Sequence, residues 1–241
     1  MDFKNRLIKS LRYKIYGKEY PLREGYYSQN GQDQFLAEKL FKGRGNGFFV
    51  DIGANDGVTF SNTYYLEKTM GWTGFCFEPN PAVYARLIEN RKCTCLKCGV
   101  ADFNGKATFL KIEGNAEMLS GLIDKYDPHH IARIEKELQL YGGEKEKIEI
   151  ECLRLKDILG KSNIQYVDYL SIDTEGSELD ILKSIDFEHT YYGVISVENN
   201  YDDGRIRKYM RSKNFKFIAV LSGDEFYINR TGRIPSTDNV L

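Results

Sequence analysis

The sequence contains no long hydrophobic run, and this absence restricts where the protein can reside. Every apolar stretch in the 241 residues is shorter than the roughly 18 residues that a membrane-spanning helix requires. The first residues, Met1-Asp2-Phe3-Lys4, do not open an apolar segment that leads to a small-residue cleavage site. We therefore expect neither a membrane span nor a secretory signal, and we expect a cytoplasmic protein.

An excess of either charge is also lacking. The chain carries 34 Lys and Arg against 35 Asp and Glu, which gives a formal net charge of -1. A protein that binds polyanions over its whole surface needs a clustered basic face, so no nucleic-acid partner is expected, although a local basic patch stays open. With 41% hydrophobic and 29% charged residues, the composition is globular. The length fits one α/β domain with additions.

The cysteines do not form an even set that would suggest disulfide pairing. There are five, mostly in strand-like segments: Cys76, Cys93, Cys95, Cys98 and Cys152. This pattern is typical of reduced thiols. The C-x-C-x-x-C spacing at 93–98 also suggests a zinc site, but strand alternation puts the first two thiols on one face and the third on the other. No neighbouring histidine or second cysteine pair completes four ligands, so we favour buried, small apolar side chains.

From residue 47 onward, short apolar runs alternate with helical patterns, as in βαβ units. Buried strands are predicted at 48–52, 74–77, 94–100, 166–172 and 194–197. Helices are predicted at 62–69, 81–91, 178–184 and 203–213. The segments 215–221 and 225–228 flank a tight turn and predict an antiparallel hairpin that closes the sheet. The fold class is therefore α/β, with a mainly parallel seven-stranded sheet and helices on both faces.

Two regions depart from this regularity. Residues 1–20 show apolar side chains at helical spacing with basic side chains between them, so we predict a basic amphipathic helix within an extension over 1–25. Packing of this helix against its own domain or a partner subunit is favoured, and contact with an anionic membrane surface stays open. Within the domain at 26–241, the irregular stretch 113–147 is predicted to be a lid or substrate-binding insertion, with a solvated charged helix as the alternative. A homo-oligomer also stays open.

The segment 50–57, which reads VDIGANDG, predicts a strand that enters a glycine-containing turn before a helix. Gly53 and Gly57 allow close backbone approach. Glu78 ends the next predicted strand, about 20 residues after the turn, where it can accept hydrogen bonds from both ribose hydroxyls of an adenosine. These features predict a nucleoside cofactor.

The charge of this turn indicates which cofactor. The turn lacks the G-x-G-x-x-G pattern of dinucleotide folds, and Asp51 and Asp56 would repel a pyrophosphate. S-adenosylmethionine has no phosphate and carries a cationic sulfonium and an ammonium group, which carboxylates favour. The terminal antiparallel hairpin agrees with this choice. The alternative is that both aspartates cap the following helix.

Four segments carry a resemblance to a known family: 27–33 (YSQNGQD), 49–57 (FVDIGANDG), 77–80 (FEPN) and 170–178 (LSIDTEGSE). Over roughly residues 26–229 the sequence resembles the FkbM family of S-adenosylmethionine-dependent methyltransferases. The resemblance implies a class I, Rossmann-like methyltransferase fold and O-methylation, commonly of a sugar hydroxyl in a glycan, polysaccharide or natural product. The residues expected at the cofactor are Gln29, Asp33, Asp51, Gly53, Asn55, Asp56, Gly57, Glu78, Asn80, Gly99, Val100 and Asp173.

The catalytic groups are expected at the ends of two predicted strands. Ligands of open α/β sheets bind outside the carboxyl ends of the strands, where Asp173 and the pair Glu198-Asn199 should converge. Asp173 is our first choice and Glu198 our second for the base that takes the alcohol proton. The same three residues resemble the magnesium ligands of small-molecule O-methyltransferases, so magnesium stays open. Glu175 could instead orient the loop, while Ser177 and Asp180 suit a helix start.

Residues near the entrance and in the insertion complete the expected site. Gln29 and Asp33 either reach the amino-acid end of the cofactor or cap the helix that follows. Exposed turn histidines are the simpler interpretation of residues 129 and 130, which could also act as a base or bind the acceptor. Three tyrosines are available to stack on a sugar ring: Tyr126, Tyr141 and Tyr201.

Three other functions were weighed. Methylation of nucleic-acid amino groups is disfavoured because the fourth strand is followed by Asp173-Thr174-Glu175-Gly176 and not by the Asn/Asp-Pro-Pro-Tyr motif. A non-sugar small molecule is an open alternative as acceptor. A non-catalytic scaffold that keeps the cofactor is also open, although the retained carboxylates argue against it.

Overall fold

The computed structural model describes residues 12–15 and 18–231 of the chain. Its strands are, in chain order, β1 (Arg12–Ile15), β2 (Lys18–Pro21), β3 (Phe48–Ile52), β4 (Thr73–Phe77), β5 (Thr94–Leu96), β6 (Gly99–Val100), β7 (Gly105–Ile112), β8 (Gly121–Leu122), β9 (Lys145–Leu153), β10 (Tyr166–Ile172), β11 (Tyr191–Glu198), β12 (Phe215–Leu221) and β13 (Asp224–Asn229). Seven of them form the main sheet in the order β12-β13-β11-β10-β3-β4-β5. All are parallel except β13, which runs antiparallel to both of its neighbours. The α/β fold class is confirmed.

The helices lie in the connections between these strands. They are α1 (Gln32–Phe35), which continues into a π-helical segment (Leu36–Leu40), α2 (Tyr64–Lys68), α3 (Pro81–Asn90), α4 (Pro128–Tyr141), α5 (Leu155–Lys161), α6 (Glu178–Ser184) and α7 (Gly204–Ser212). Local sequence explains where several of them begin. The Asn80 side chain accepts from the Ala82 N–H and Pro81 takes the first helical position of α3. Asp127 and Asp203 cap α4 and α7 in the same way.

The main sheet is buried on both faces because helices cover each side. Val50 and Ile52 of β3 belong to one apolar cluster, whereas Phe49 belongs to the cluster on the opposite face. This alternation explains the nearly continuous apolar runs of the predicted strands. Each fully buried Val, Ile or Phe side chain contributes about 1.5–3 kcal/mol to the free energy of unfolding.

The predicted elements of the main sheet agree with the structure to within a few residues, with one exception. The strand predicted over 94–100 is wrong, because β5 ends at Leu96 and β6 belongs to another sheet. That second sheet has the order β6-β9-β7-β8, and its long antiparallel pair β7–β9 was not predicted. The dense charges of these strands lie on their exposed positions, while Phe109, Ile150 and Cys152 face the interior.

The predicted N-terminal helix is wrong where the chain is described. Residues 12–15 and 18–21 form the antiparallel pair β1–β2, and residues 1–11 of the predicted helix lie outside the described residues. Membrane contact through that helix therefore stays a prediction. Among the helices of the described chain, none combines the length and the apolar character that crossing a bilayer demands.

Candidate active site

A cavity of about 260 Å³ opens at the carboxyl ends of β3, β4, β10 and β11. This position is where ligands of open α/β sheets bind. Many residues predicted from the sequence line it: Gln29, Asp51, Gly53, Asn55, Glu78, Asn80, Gly99, Val100, Asp173 and Glu198. The fold thus brings together side chains that are far apart in the sequence, from Gln29 to Glu198.

Gly53 fixes the turn that enters the cavity. Its φ of +85° lies in the left-handed region, and a Cβ atom at this position would overlap the carbonyl oxygen of Asp173. The turn is held from the other side, because the N–H groups of Gly53 and Ala54 both donate to the Phe77 carbonyl, at 3.1 and 3.0 Å. Glycine is therefore required for β3, β4 and β10 to meet at one point.

Glu78 lies at the end of β4 with only 7% of its surface exposed. Its carboxylate accepts from the N–H of Asn55 at 3.1 Å and from the N–H of Asn80 at 2.8 Å. Burial raises the pKa of Glu78 to about 7, although both backbone hydrogen bonds oppose the shift. Beside it, the buried Nδ2 of Asn80 has no hydrogen-bond partner. A hydrogen-bond acceptor, the Glu78 carboxylate, and an unpaired donor, the Asn80 amide, therefore lie side by side at this end of the cavity.

The aspartates of the turn have structural partners. Asp51 is buried, accepts from the Thr63 hydroxyl at 2.5 Å and lies 4.0 Å from the buried Arg91 guanidinium. Asp56 accepts from the N–H groups of Val58 and Thr59 and does not line the cavity. The prediction of Asp56 as a cofactor contact is therefore corrected, because its carboxylate closes its own turn.

The predictions of Gly57 and Asp33 as cofactor contacts are also corrected, since neither residue lines the cavity. A Cβ atom at Gly57 would lie 2.6 Å from side-chain carbons of Leu87 and Arg91, so this glycine serves the packing of the turn on α3 and the residue after it. Asp33 is fully buried, and its carboxylate accepts from the Tyr27 N–H at 2.6 Å and the Ser28 hydroxyl at 2.5 Å. Asp33 therefore holds the segment before α1, and only Gln29 of this segment's two predicted contacts reaches the cavity.

At the opposite end of the cavity three carboxylates converge. Asp173, Glu175 and Glu198 each place an oxygen within 4.8 Å of the others. The Asp173 side chain is exposed within the cavity, whereas Glu175 and Glu198 are partly buried. Desolvation raises the pKa of Asp173 well above its usual range, and the charges of Glu175 and Asp224 add to this effect. The Glu198 pKa is raised by desolvation and then by Asp173.

Asp224 is a site residue that the sequence prediction missed. It begins β13, pairs with Glu198 in the antiparallel register and lines the cavity. Burial raises its pKa to about 6, and the Gln32 side chain donates to its carboxylate at 2.9 Å. Gln32 also lines the cavity. The only sequence signal was the acidic residue in the hairpin turn, which resembles an ordinary turn residue.

The loop after β10 is shaped by Glu178. This buried carboxylate accepts from the N–H and the hydroxyl of Thr174, at 3.0 and 2.9 Å, and from the N–H of Gly176 at 3.0 Å. The expected cap is corrected: the Ser177 side chain makes no cap hydrogen bond, and Asp180 pairs with Lys125 at 2.6 Å. The buried Ser177 hydroxyl lines the cavity without a partner.

His130 connects the insertion to this loop. It is only 2% exposed, its Nδ1 lies 3.2 Å from the Glu175 carboxylate and its Nε2 lies 3.1 Å from the Leu119 carbonyl oxygen. Burial alone would lower the His130 pKa, but the hydrogen bond and charge of Glu175, with the Leu119 carbonyl, raise it overall. Both ring nitrogens therefore face acceptors, which suits the doubly protonated imidazolium. The interpretation of His130 as an exposed turn residue is wrong.

Replacing His130 by Gln is expected to lower the free energy of unfolding by about 1.5–3 kcal/mol near pH 6, because a hydrogen-bonded charged pair is lost. The effect should shrink toward pH 9: a histidine pKa raised in the folded state stabilises the protein below the unfolded pKa, and this stabilisation disappears as pH rises through the folded pKa. Urea denaturation at both pH values measures it. His189→Gln is the control, since the His189–Asp186 pair lies at the surface with 80% of the histidine side chain exposed. Equal effects of the two variants would contradict the assignment of His130 and Glu175 as a buried, stabilising charged pair.

The carboxylates do not form a prepared magnesium site. The predicted ligand Asn199 is turned away, because its side chain exchanges hydrogen bonds with the backbone of Asp203 at 2.7 and 3.4 Å. Glu175 takes the third position but is engaged by His130, and Glu198 accepts from the Asn200 amide. Magnesium is therefore not supported, and the burial and mutual proximity of these carboxylates raise the pKa values of Asp173 and Glu198.

The tyrosines differ in their placement. Tyr126 is partly buried, donates to the Leu119 carbonyl at 2.9 Å and stacks on His130 with ring centroids 4.6 Å apart. Tyr141 is 62% exposed at the end of α4 and lies outside the cavity lining. Tyr201 is 48% exposed and its ring faces that of His129 at 5.7 Å. Only Tyr201 keeps a ring exposed next to a residue of the cavity rim, Asn200.

The single antiparallel strand β13 in an otherwise parallel sheet, with the cavity at the carboxyl ends of the central strands, is the architecture of the class I methyltransferase fold. The Methyltransferase FkbM domain matches residues 51–217 of the chain. The chain belongs to this family, and it is an S-adenosylmethionine-dependent methyltransferase.

Individual relatives are distant. Methyltransferase sdnD of Sordaria araneosa is 29% identical over 196 residues, which cover 69% of this chain and 74% of that protein. The 2-O-methyltransferase NoeI of Sinorhizobium fredii is 28% identical over 141 residues, 55% of each chain, so the chain spans about half of that relative. A crystal structure of Methyltransferase FkbM from Methylobacillus flagellatus superposes with a TM-score of 0.45 at 13% identity, over 76% of this chain and 43% of that chain.

Proposed function

We propose that this chain transfers the methyl group of S-adenosylmethionine to a hydroxyl group of a sugar in a glycan, polysaccharide or glycosylated natural product. The observation that carries the proposal is the convergence of the Asp173 and Glu198 carboxylates, whose oxygens lie within 4.8 Å of each other in the cavity that Glu78 also lines. The family membership supplies the methyl donor, and the relative named a 2-O-methyltransferase supports oxygen as the methyl acceptor.

In this arrangement each end of the cavity recognises one end of the cofactor. The Glu78 carboxylate accepts from the ribose hydroxyls, and the unpaired Asn80 amide donates to an acceptor nearby. Gly99 and Val100 line the side next to Glu78, where a flat base fits. The cationic sulfonium then points toward the carboxylates of Asp173 and Glu198, whose charge favours it.

The chemical step needs a group that takes the hydroxyl proton. As the acceptor oxygen forms a bond to the methyl carbon, the carbon–sulfur bond breaks and S-adenosylhomocysteine leaves. The hydroxyl proton passes to Asp173, which is accessible in the cavity. A carboxylate with a raised pKa is a stronger base than a solvated one, and the Glu198 carboxylate lies within 4.8 Å of Asp173, where it can share the proton. His130 keeps Glu175 paired next to them.

The charge around Asp173 favours a neutral acceptor. Four carboxylates lie at this end, from Asp173, Glu175, Glu198 and Asp224, and they would repel a phosphate. The exposed Tyr201 ring is available to stack on a sugar, and the Arg133 side chain of the insertion lines the cavity opposite. Neutral polyhydroxylated molecules therefore suit the site better than nucleic acids.

A transfer assay with labelled S-adenosylmethionine tests this proposal. The acceptors are neutral oligosaccharides, their phosphorylated counterparts and RNA, and mass spectrometry locates the new methyl group. We expect a methyl ether on a neutral saccharide. Transfer to phosphorylated sugars or RNA in preference to every neutral saccharide would contradict the assignment of the acceptor.

The affinity for S-adenosylhomocysteine is expected to rise with pH below about pH 7 and to level off above it. Glu78 has a pKa raised from 4.5 to about 7 in the free protein, and ribose hydroxyls donate to its ionised form. Binding below this pKa therefore releases a proton, and the slope is at most about tenfold per pH unit. Titration calorimetry in buffers of different ionisation enthalpy measures both the affinity and the number of protons released on binding. Glu78→Gln should bind more weakly and lose this pH dependence; an unchanged profile would show that another group titrates.

A further inference from the structure

Three cysteines form a cluster on the face of the main sheet that also carries Phe49, opposite the face that carries Val50 and Ile52. The cluster lies away from the carboxylates of Asp173 and Glu198. Cys76 of β4 stands between Asp51 of β3 and Cys95 of β5 in the parallel register. The sulfur atoms of Cys76 and Cys93 lie 3.5 Å apart, and the Cys95 thiol lies 3.6 Å from the Cys93 carbonyl oxygen. Strand alternation places all three on one face, as the sequence spacing of 93 and 95 predicts.

The cluster differs from ordinary buried cysteines in access and in charge. Cys76 is fully buried, but Cys93 and Cys95 are only partly buried, so a small oxidant can reach them. The buried cation of Arg91 favours a thiolate in the cluster. Hydrogen bonds from Cys76 and Cys93 lower the pKa of Cys95, whereas burial raises the pKa of Cys76.

We propose that Cys76, Cys93 and Cys95 form a peroxide-sensitive thiol centre whose oxidised product is a Cys76–Cys93 disulfide. The partly buried Cys93 attacks the peroxide as a thiolate: a sulfur–oxygen bond forms, the oxygen–oxygen bond breaks, and the second oxygen leaves as water after taking a proton. The Cys76 sulfur, which lies 3.5 Å from that of Cys93, then attacks the sulfenic acid; water leaves, the Cys76 thiol gives up its proton, and the disulfide closes. The sum is two thiols and one peroxide giving one disulfide and two waters.

The disulfide is linked to the cofactor cavity by Arg91. Closing the bond draws the Cys76 and Cys93 sulfurs together by about 1.5 Å, from 3.5 Å to the length of a disulfide. The Cys93 N–H donates to Glu67, which pairs with Arg91, and Arg91 in turn donates to the Gly57 carbonyl and the Thr63 hydroxyl, at 3.1 and 3.0 Å. The segment 57–63 runs along the cavity, so oxidation should weaken cofactor binding.

Disulfide mapping on the folded full-length protein tests the centre. The protein is treated with a small excess of hydrogen peroxide, free thiols are alkylated, and unreduced digests are analysed by mass spectrometry. We expect one linked pair of peptides that joins Cys76 and Cys93, with Cys98 and Cys152 still alkylated after unfolding. Cys76→Ser and Cys93→Ser should each abolish the link, and Cys98→Ser should change nothing. Peroxide treatment that leaves all five thiols free, or oxidises them without preference, would overturn the proposal.

The same samples report on the link to the cavity. Oxidised protein is expected to bind S-adenosylhomocysteine about fivefold or more weakly than reduced protein, and dithiothreitol should restore the affinity. Cys93→Ser should bind equally well before and after peroxide. A disulfide that forms without any change in affinity would overturn the link. The mapping itself does not depend on the methyl-transfer assignment, so the two proposals fail independently.

Discussion

Asp173→Asn is expected to lower the rate of methyl transfer by about 10²- to 10⁴-fold, because the variant cannot accept the hydroxyl proton. Its affinity for S-adenosylhomocysteine should change far less, since the ribose acceptor Glu78 lies at the other end of the cavity. Stability should be unchanged or higher, because desolvation and neighbouring carboxylates already disfavour the Asp173 charge. Single-turnover methyl transfer measures the rate, and urea denaturation measures the stability.

Two further variants separate the role of Asp173 from general charge effects. Asp102→Asn removes an exposed carboxylate that does not line the cavity, and it should leave the rate unchanged. Glu198→Gln should lower the rate less than Asp173→Asn, because Glu198 only shares the proton. If Asp173→Asn retained the wild-type rate while Glu198→Gln lost it, Glu198 and not Asp173 would be the base that takes the hydroxyl proton.

Gly53→Ala is expected to prevent formation of the native state, or to lower the free energy of unfolding by more than about 4 kcal/mol. The added Cβ would overlap the Asp173 carbonyl oxygen, which cannot rotate away because the Asp173 N–H donates to the Ile52 carbonyl and holds this backbone against β3. The φ of +85° adds strain for any residue with a side chain. Soluble yield and urea denaturation measure the effect.

Gly160→Ala is the matched control for that substitution. Gly160 lies in α5, is exposed, and has no atom within 4 Å of an added Cβ. Alanine there should stabilise the protein by about 0.5–1 kcal/mol. If both glycine variants were tolerated equally, the close approach of the β3 turn to Asp173 would be refuted as a constraint on the fold.

Much of the main sheet could be predicted because its strands are buried on both faces. The apolar runs at β3, β10 and β11 end at polar residues, and parallel strands place those ends on one edge of the sheet. This rule alone predicts that Asp173 and Glu198 lie close together. The second sheet was missed because no element was predicted over β7, and the start of β9 falls in the charged stretch 113–147 that was interpreted as an irregular insertion.

The site residues that were missed depend on contacts between distant parts of the chain. Asp224 resembles a turn residue until the antiparallel register places it opposite Glu198. His130 resembles an exposed histidine until α4 packs against the loop that carries Glu175. Conversely, Asp56 looks like a ligand for a cation, but Val58 and Thr59 offer it three nearby donors. For Asp56 the local hydrogen-bonding role, which the sequence analysis gave as the alternative, is therefore the one that the structure shows, although the carboxylate closes a turn and does not cap a helix.

Calorimetric titration with S-adenosylhomocysteine tests the central claim, that the cavity between Glu78 and Asp173 holds the methyl donor. Wild-type protein should bind this product and not NAD, and Glu78→Ala should weaken binding by about tenfold to a hundredfold because hydrogen bonds to a charged group are lost. Glu89→Ala, an exposed substitution on α3, should bind like the wild type. Binding of NAD without S-adenosylhomocysteine, or full affinity in Glu78→Ala, would contradict this account of the site.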